Sequence, residues 1–145
     1  MRIVLIYLFV LLAFSCKNKP KVTTDNAKID NDFEEFYHKF HTDTAYQKAH
    51  IQFPLPGIPS FADSADLVNK DYFWDKDLWV FHKLPDLDSS GYKRVIQPLS
   101  ETMLTEFLIN EKDKAAMERR FVKFGNDWFL IYYAGVNGYT EQNKK

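Results

Sequence analysis

Glu34, His38 and His41 stand at i, i+4 and i+7 in the stretch DFEEFYHKFH. If that stretch is helical, 100° per residue brings all three to one flank, and a carboxylate with two imidazoles is a donor set that can hold zinc. Two turns separate Glu34 from His41, which is far for one ion, and a solvated flank uses the same residue types. No metal centre is therefore expected, and these three are the only candidates for one. Glu106 alternates with Leu104 and Leu108 in TMLTEFLIN. On a strand it would share their face. Inside a cavity, burial would raise its pKa and fit it for proton transfer; on the solvent face of a sheet it would be an ordinary surface glutamate, the commoner use. His50 and His82 stand singly. The chain has no Gly-rich phosphate loop, no G-x-S-x-G and no H-E-x-x-H, so no cofactor is implied.

The lone cysteine, Cys16, has a different chemistry. Residues Ile3 to Phe14 are all apolar and follow Met1 and Arg2, the layout of a secretory signal. The run is shorter than the about 20 residues of a membrane-spanning helix. Ala13 and Ser15 precede Cys16, and a small residue before a cysteine at the end of such a run resembles the lipobox of bacterial lipoproteins. That resemblance implies cleavage before Cys16 and acylation of its sulfur and new amino terminus, although the commonest lipobox has Leu where Ala13 stands. Residues 1–15 then form a lipoprotein signal peptide. Residues 16–30 form a lipidated cysteine and polar tether, and residues 31–140 a single domain. With Cys16 consumed, residues 17–145 hold no cysteine, which excludes disulfides and thiolate chemistry. Lys17, Asn18 and Lys19 lack the acidic residues of surface-exported lipoproteins, so the expected location is the cell envelope, membrane-anchored and facing the periplasm.

Charge argues against one partner class. The whole chain has 19 Lys+Arg against 20 Asp+Glu; removing residues 1–15 takes away only Arg2, leaving 18 against 20, a net charge of −2. Nucleic-acid binding usually needs a strongly basic face, and none is expected here.

The elements that must position these residues follow from periodicity. Phe33, Phe36, Tyr37 and Phe40 fall at i, i+3, i+4 and i+7, one helical face, after a capping-box-like Asn31–Glu34 start. Thr44 and Gln47 have the same spacing, predicting a second helix over 43–49. Ile51, Phe53 and Leu55 alternate among prolines 54, 56 and 59, which suits a short edge strand. Residues 60–77 read equally as strand or short helix. LWVFHKL (78–84) is predicted as a strand, 85–91 as a turn, and 92–99 and 102–110 as strands, the last with Met103, Thr105, Phe107 and Ile109 on one side. AAMERRFVKF, GND and WFLIYYAGV predict a hairpin, with Gly125 free to take positive φ. Helices first and antiparallel strands afterwards give an α+β fold, helices packed on a curved, mostly antiparallel sheet.

The opening motif DFEEFYHKFHTDTAYQKAHIQFPLPG resembles that of a Bacteroidetes lipoprotein family of unassigned function, whose domain is similar to nuclear transport factor 2, a cone of helices capping a bent sheet. RRFVKFGNDWFLIYY is similar to the closing hairpin of that superfamily. The resemblance spans roughly 32–139 and carries over no catalytic residues. It implies that one side of the sheet meets the helices while the other often meets a second subunit.

The last strand bears on that. Simple alternation puts Trp128, Leu130 and Tyr132 on one face and Phe129, Ile131 and Tyr133 on the other, so both faces are apolar and both need cover. One face is expected on Phe33, Phe36 and Phe40 and the other at an interface, with Trp128, Phe129, Ile131 and Tyr133 as the binding or interface candidates. Trp74 and Trp79 flank three charges in YFWDKDLWVFH, a composition that suits glycan or peptide binding and an ordinary core equally. Three readings stand: a lipid-anchored, non-catalytic binding or scaffolding module, its partner an envelope protein, glycan or peptide; a small hydrolase or isomerase with Glu106 in the cone; and a structural homodimer.

Overall fold

A computed structural model describes residues 31–63 and 71–139; Cys16, the signal segment and the tether lie outside the described residues. Helix α1 spans Asn31–Phe40 and buries Phe33, Phe36, Tyr37 and Phe40, the face that the spacing predicts. Its first turn carries Asp32 and Glu34 and its last His38 and Lys39, complementing the helix dipole. Glu34 reaches Arg94, and Asp32 pairs with Lys123. Helix α2 spans Thr44–Ala49 and is capped by Asp43, whose side chain accepts from the Tyr46 N–H at 2.9 Å, rather than by a Thr44–Gln47 box. Gln47 is instead fully buried.

Six strands make one curved, mixed sheet: β1 Leu55–Ile58, β2 Tyr72–Trp74, β3 Lys93–Ser100, β4 Met103–Asn110, β5 Ala115–Phe124 and β6 Asp127–Gly138, in the order β2-β1-β6-β5-β4-β3. β3 to β6 form an antiparallel meander. β1 runs parallel to β6, and β2 pairs with its other side. The predicted edge strand over 51–55 is thus displaced. Ile51 makes a single bridge to Leu130, and the strand proper begins at Leu55 with neighbours on both sides. Gly57 allows this close approach, because a Cβ there would stand 1.9 Å from the Tyr133 carbonyl oxygen.

Two expectations need correction. Residues 78–84 are not a strand. The Gln47 amide occupies their polar groups: Oε1 accepts from the Trp79 indole N–H and the His82 N–H, both at 3.0 Å, and Nε2 donates to the His82 and Phe40 carbonyls, both at 2.9 Å. A side chain supplies what a neighbouring strand would have supplied, and Leu78 and Val80 project outward, 81% and 71% exposed. The second correction concerns β6. Arg120 pairs with Tyr132 but Phe121 pairs with Leu130, so Ile131 is a bulge and the alternation slips by one residue beyond it. Trp128, Leu130 and Tyr133, not Tyr132, therefore share the buried inner face.

That inner face and α1 enclose the core. Phe33 is 0% exposed and sits edge-on to Trp128 and Phe121, with ring centroids 5.0 and 5.5 Å away. Leu104, Phe121 and Leu130 complete the floor beneath Phe36 and Phe40.

Candidate functional site

Cross-strand register aligns Ile96, Glu106, Arg119 and Tyr133 in one row on the inner face. Residues directly opposite on neighbouring strands share a face, so a carboxylate and a guanidinium meet beneath α1 with no solvent between them. Glu106 is 0% and Arg119 3% exposed, and their Oε2 and Nε lie 2.7 Å apart. Arg94, one residue pair along the sheet, donates from Nε to Glu106 Oε1 at 2.8 Å and from Nη1 to both oxygens of Glu34 at 3.0 and 3.2 Å. Its guanidinium lies over the Tyr37 ring at 3.8 Å. The Tyr37 hydroxyl donates to Glu106 Oε1 and accepts from Arg119 Nη2.

His41 closes the network. Its Nδ1 lies 2.8 Å from the Tyr37 carbonyl and its Nε2 2.6 Å from Arg119 Nη1. A carbonyl only accepts and a guanidinium only donates, which assigns the Nδ1–H tautomer. His82 packs on Trp79 and Tyr133 nearby.

The electrostatics follow from these contacts. Burial pushes the Glu106 pKa upward, but Arg119, the Tyr37 hydroxyl and Arg94 outweigh it and hold the carboxyl below its usual range. Burial, with the Arg119 charge beside it, lowers the pKa of His41 to about 4, and the same causes lower that of His82 to about 4. Burial raises the pKa of Tyr37. Glu106 is thus a fixed anion. The one free lone pair of neutral His41 is taken by Arg119. The arrangement holds charge in place and offers no proton carrier.

A pH dependence of stability follows. In the unfolded chain His41 and His82 take up protons as pH falls through about 6.5, while in the folded chain both refuse them until about 4. The contribution of a neutral His41 is complete above pH 6.5 and is lost between 6.5 and 4, amounting to about 2 kcal/mol by pH 5. Urea melts at pH 7 and pH 5 should show that drop in the parent chain together with a similar one from His82, and His41→Gln should lose about 2 kcal/mol less than the parent. Equal drops in both proteins would contradict the assignment.

The network opens to a cleft of ≈ 420 Å³, bounded by Glu34, Tyr37, His38, His41 and Thr42 on the α1 side, by Lys83 and Leu84, and by Arg94. A second, apolar groove of ≈ 360 Å³ runs on the outer face of the sheet past Ile58, Phe107, Ile109, Ala116 and Ala134.

The candidate residues of the sequence separate accordingly. Glu106 lies in the interior, beside Leu104 and Leu108, as its alternation allowed. His41 turns inward to Arg119 while Glu34 pairs with Arg94, so these two do not converge with His38 on one point; among the described residues no three His, Cys, Asp or Glu side chains are grouped to hold a metal. Trp79 is 5% exposed and Trp128 4%, and both belong to the core. Trp74 is half-buried and donates its indole N–H to the Tyr133 carbonyl at 2.9 Å. Tyr133 is a core residue. Phe129 stacks on His50 at 5.4 Å, so it is partly covered within the chain, and Ile131 is the bulge. Sequence reasoning missed Arg94, Arg119 and the Tyr37 hydroxyl. Counting register back from the β4–β5 turn would have set Arg119 opposite Glu106.

Neither the protein-family models nor the curated proteins give a match to this chain. Among solved structures, the crystal structure of a nuclear transport factor 2-like protein from Bacteroides fragilis is similar, with a TM-score of 0.56 and 19% identity over 81% of this chain. This chain spans about half, 51%, of that structure's length. The likeness bears on the fold, an α+β domain of the nuclear transport factor 2-like kind.

Proposed function

We propose that this chain is a lipid-anchored cell-envelope protein whose domain binds a small molecule without transforming it. The observation that carries the reading is Glu106, the carboxylate of the interior, fixed as an anion by Arg94, Arg119 and Tyr37 behind an open cleft. A hydrolase or isomerase that used Glu106 as its acid or base would need it to exchange protons near neutral pH; here that acid is locked and the cleft leads to charged, pre-oriented walls. The cleft volume falls in the range of about 300–1,000 Å³ usual for small-molecule sites. The anchor rests on Cys16 and the apolar run before it.

Two measurements test the halves of this reading. Cys16→Ser should abolish acyl labelling and release or misprocess the protein; unchanged labelling and membrane fractionation would exclude the anchor. In the full-length protein, a cleft ligand should raise the melting temperature by mass action. Thr42→Trp, at the exposed cleft rim, should remove that response while leaving the fold intact. Turnover of the ligand, or a response indifferent to Thr42, would overturn the binding reading.

The outer groove favours a second reading, self-association. Its apolar strip is flanked by Glu118 and Arg120, which pair within one chain at 2.7 Å, and a two-fold copy offers each its opposite charge. Val95 on the same face is 44% exposed. This moves the expected interface from Phe129 and Ile131 to Phe107 and its neighbours. Phe107→Lys should leave the circular dichroism unchanged and halve the sedimenting mass; a chain that is monomeric before the substitution rules the reading out.

A further inference from the structure

The ion pairs around the cleft form a chain with one exposed end. Glu106 is 0% exposed, Arg119 3%, Arg94 18%, and Glu34, the last member, 46%. The inner pairs are fixed by burial: taking either partner away strands a charge in the interior. The Glu34–Arg94 pair is different, since an exposed pair on a long side chain is screened and contributes little. Glu34 is also the only one of these side chains that can swing into water without uncovering the core, because it stands on α1 outside the Phe33, Phe36, Tyr37 and Phe40 face.

The charge count points the same way. Arg94, Arg119 and Lys83 carry three positive charges against two negative ones on Glu34 and Glu106, an excess of one at the cleft. Lys83 lines the cleft and makes no ion pair among the described residues. Arg94 Nη2 is buried without a hydrogen-bond partner, and its guanidinium plane is held against Tyr37, with Nη1 turned to the cleft. A planar fork held in this way matches a carboxylate in two-point contact. Glu34 occupies only one tine of that fork, both of its oxygens on Nη1.

We infer that Glu34 is a built-in stand-in for the ligand: the cleft takes an organic monocarboxylate, whose anionic head displaces Glu34 from Arg94 Nη1 and is neutralised further by Lys83, and whose apolar body lies along Leu84. This rests on the binding reading above and names its ligand class. The site then binds by exchange of one carboxylate for another. The interior charge balance is undisturbed, and Glu34, once freed, is solvated at the rim. Removing Glu34 should therefore strengthen binding, whereas removing a residue that merely lines a cleft weakens it.

The test uses phenylacetate and its neutral isostere phenylacetamide as probes, titrated into the full-length protein and followed by ¹H–¹⁵N correlation spectra that include the Arg94 Nε–H. Phenylacetate should shift that resonance. Glu34→Gln should tighten its apparent Kd at least about fivefold, Lys83→Gln should weaken it about two- to threefold, and phenylacetamide should bind the parent and both variants equally and more weakly. The exposed positions of Glu34 and Lys83 keep both variants folded, which the spectra verify directly. If Glu34→Gln leaves phenylacetate binding unchanged or weaker, the exchange idea is wrong. If acid and amide bind the cleft alike, the site is a binding site without anion selectivity; this inference fails and the binding reading stands. If neither probe shifts any cleft resonance at about 10 mM, both fall.

Discussion

Replacing Glu106 by Gln is expected to cost about 3–5 kcal/mol of stability, the usual loss when one member of a buried ion pair is removed. Gln keeps the volume and loses the charge. Arg119, 3% exposed, and the Nε end of Arg94 would then face each other across a neutral amide, and the Tyr37 hydroxyl would lose a charged acceptor. Such a loss is a large part of the about 5–15 kcal/mol that holds a domain together. Urea melts at pH 7 measure it. A catalytic carboxylate behaves in the opposite way, since active-site residues tend to be neutral or costly for stability. A Glu106→Gln chain within about 1 kcal/mol of the parent would therefore reopen the enzymatic reading. The double change Glu106→Met, Arg119→Met should recover part of the loss, because apolar side chains of similar volume can replace a buried pair at little cost.

Phe33→Ala should be nearly as damaging, at about 3–5 kcal/mol. The ring is 0% exposed and stands at the meeting point of α1, β5 and β6, with Phe36, Tyr37, Phe121 and Trp128 within 5.9 Å between centroids. The cavity left by its removal has no flexible neighbour to fill it, since four of its walls are themselves rings in fixed contacts. Phe33 also lies beneath the Arg94 guanidinium at 6.0 Å, so the loss should extend to the cleft. A urea melt showing less than about 1 kcal/mol of loss would mean that α1 is not seated on the sheet in this way.

The legibility of this molecule in its sequence divides along the range of the interactions. Helix α1 could be read because four aromatics at helical spacing have one way to be buried together. The β4–β6 meander could be read because alternation and turn residues are local signals, and Glu106 could be set on the Leu104–Leu108 face for the same reason. The segment 78–84 misled because its run of strand-forming apolar residues is real; what prevents a strand is Gln47, over 30 residues earlier, which occupies its backbone (|i−j| = 35). The bulge at Ile131 left no mark in composition, and it exchanged the roles of Tyr132 and Tyr133. The charged network was least legible of all. Tyr37 meets Glu106 across 69 residues and Arg119 across 82, and nothing near Tyr37 announces partners so far away. Nothing in the neighbourhood of Arg94 or Arg119 in the chain distinguishes them from the surface cations that arginines usually are.

The sheet order also dictates when this molecule can come into being. β1 is laid down early in the chain but hydrogen-bonds to β6, its last strand, and Asp32 at the start of α1 waits for Lys123, 91 residues on. Ribosomes add about 5–20 residues per second, so α1 emerges roughly 5–20 s before its counterpart exists. During that interval Phe33, Phe36, Tyr37 and Phe40 form an uncovered aromatic stripe with nothing to pack on. The β3–β6 meander pairs neighbours in the chain, whereas α1 and β1 depend on its last strands, so they are the elements that must wait. Until β6 has been made, α1 and the β1–β2 pair have no sheet on which to close.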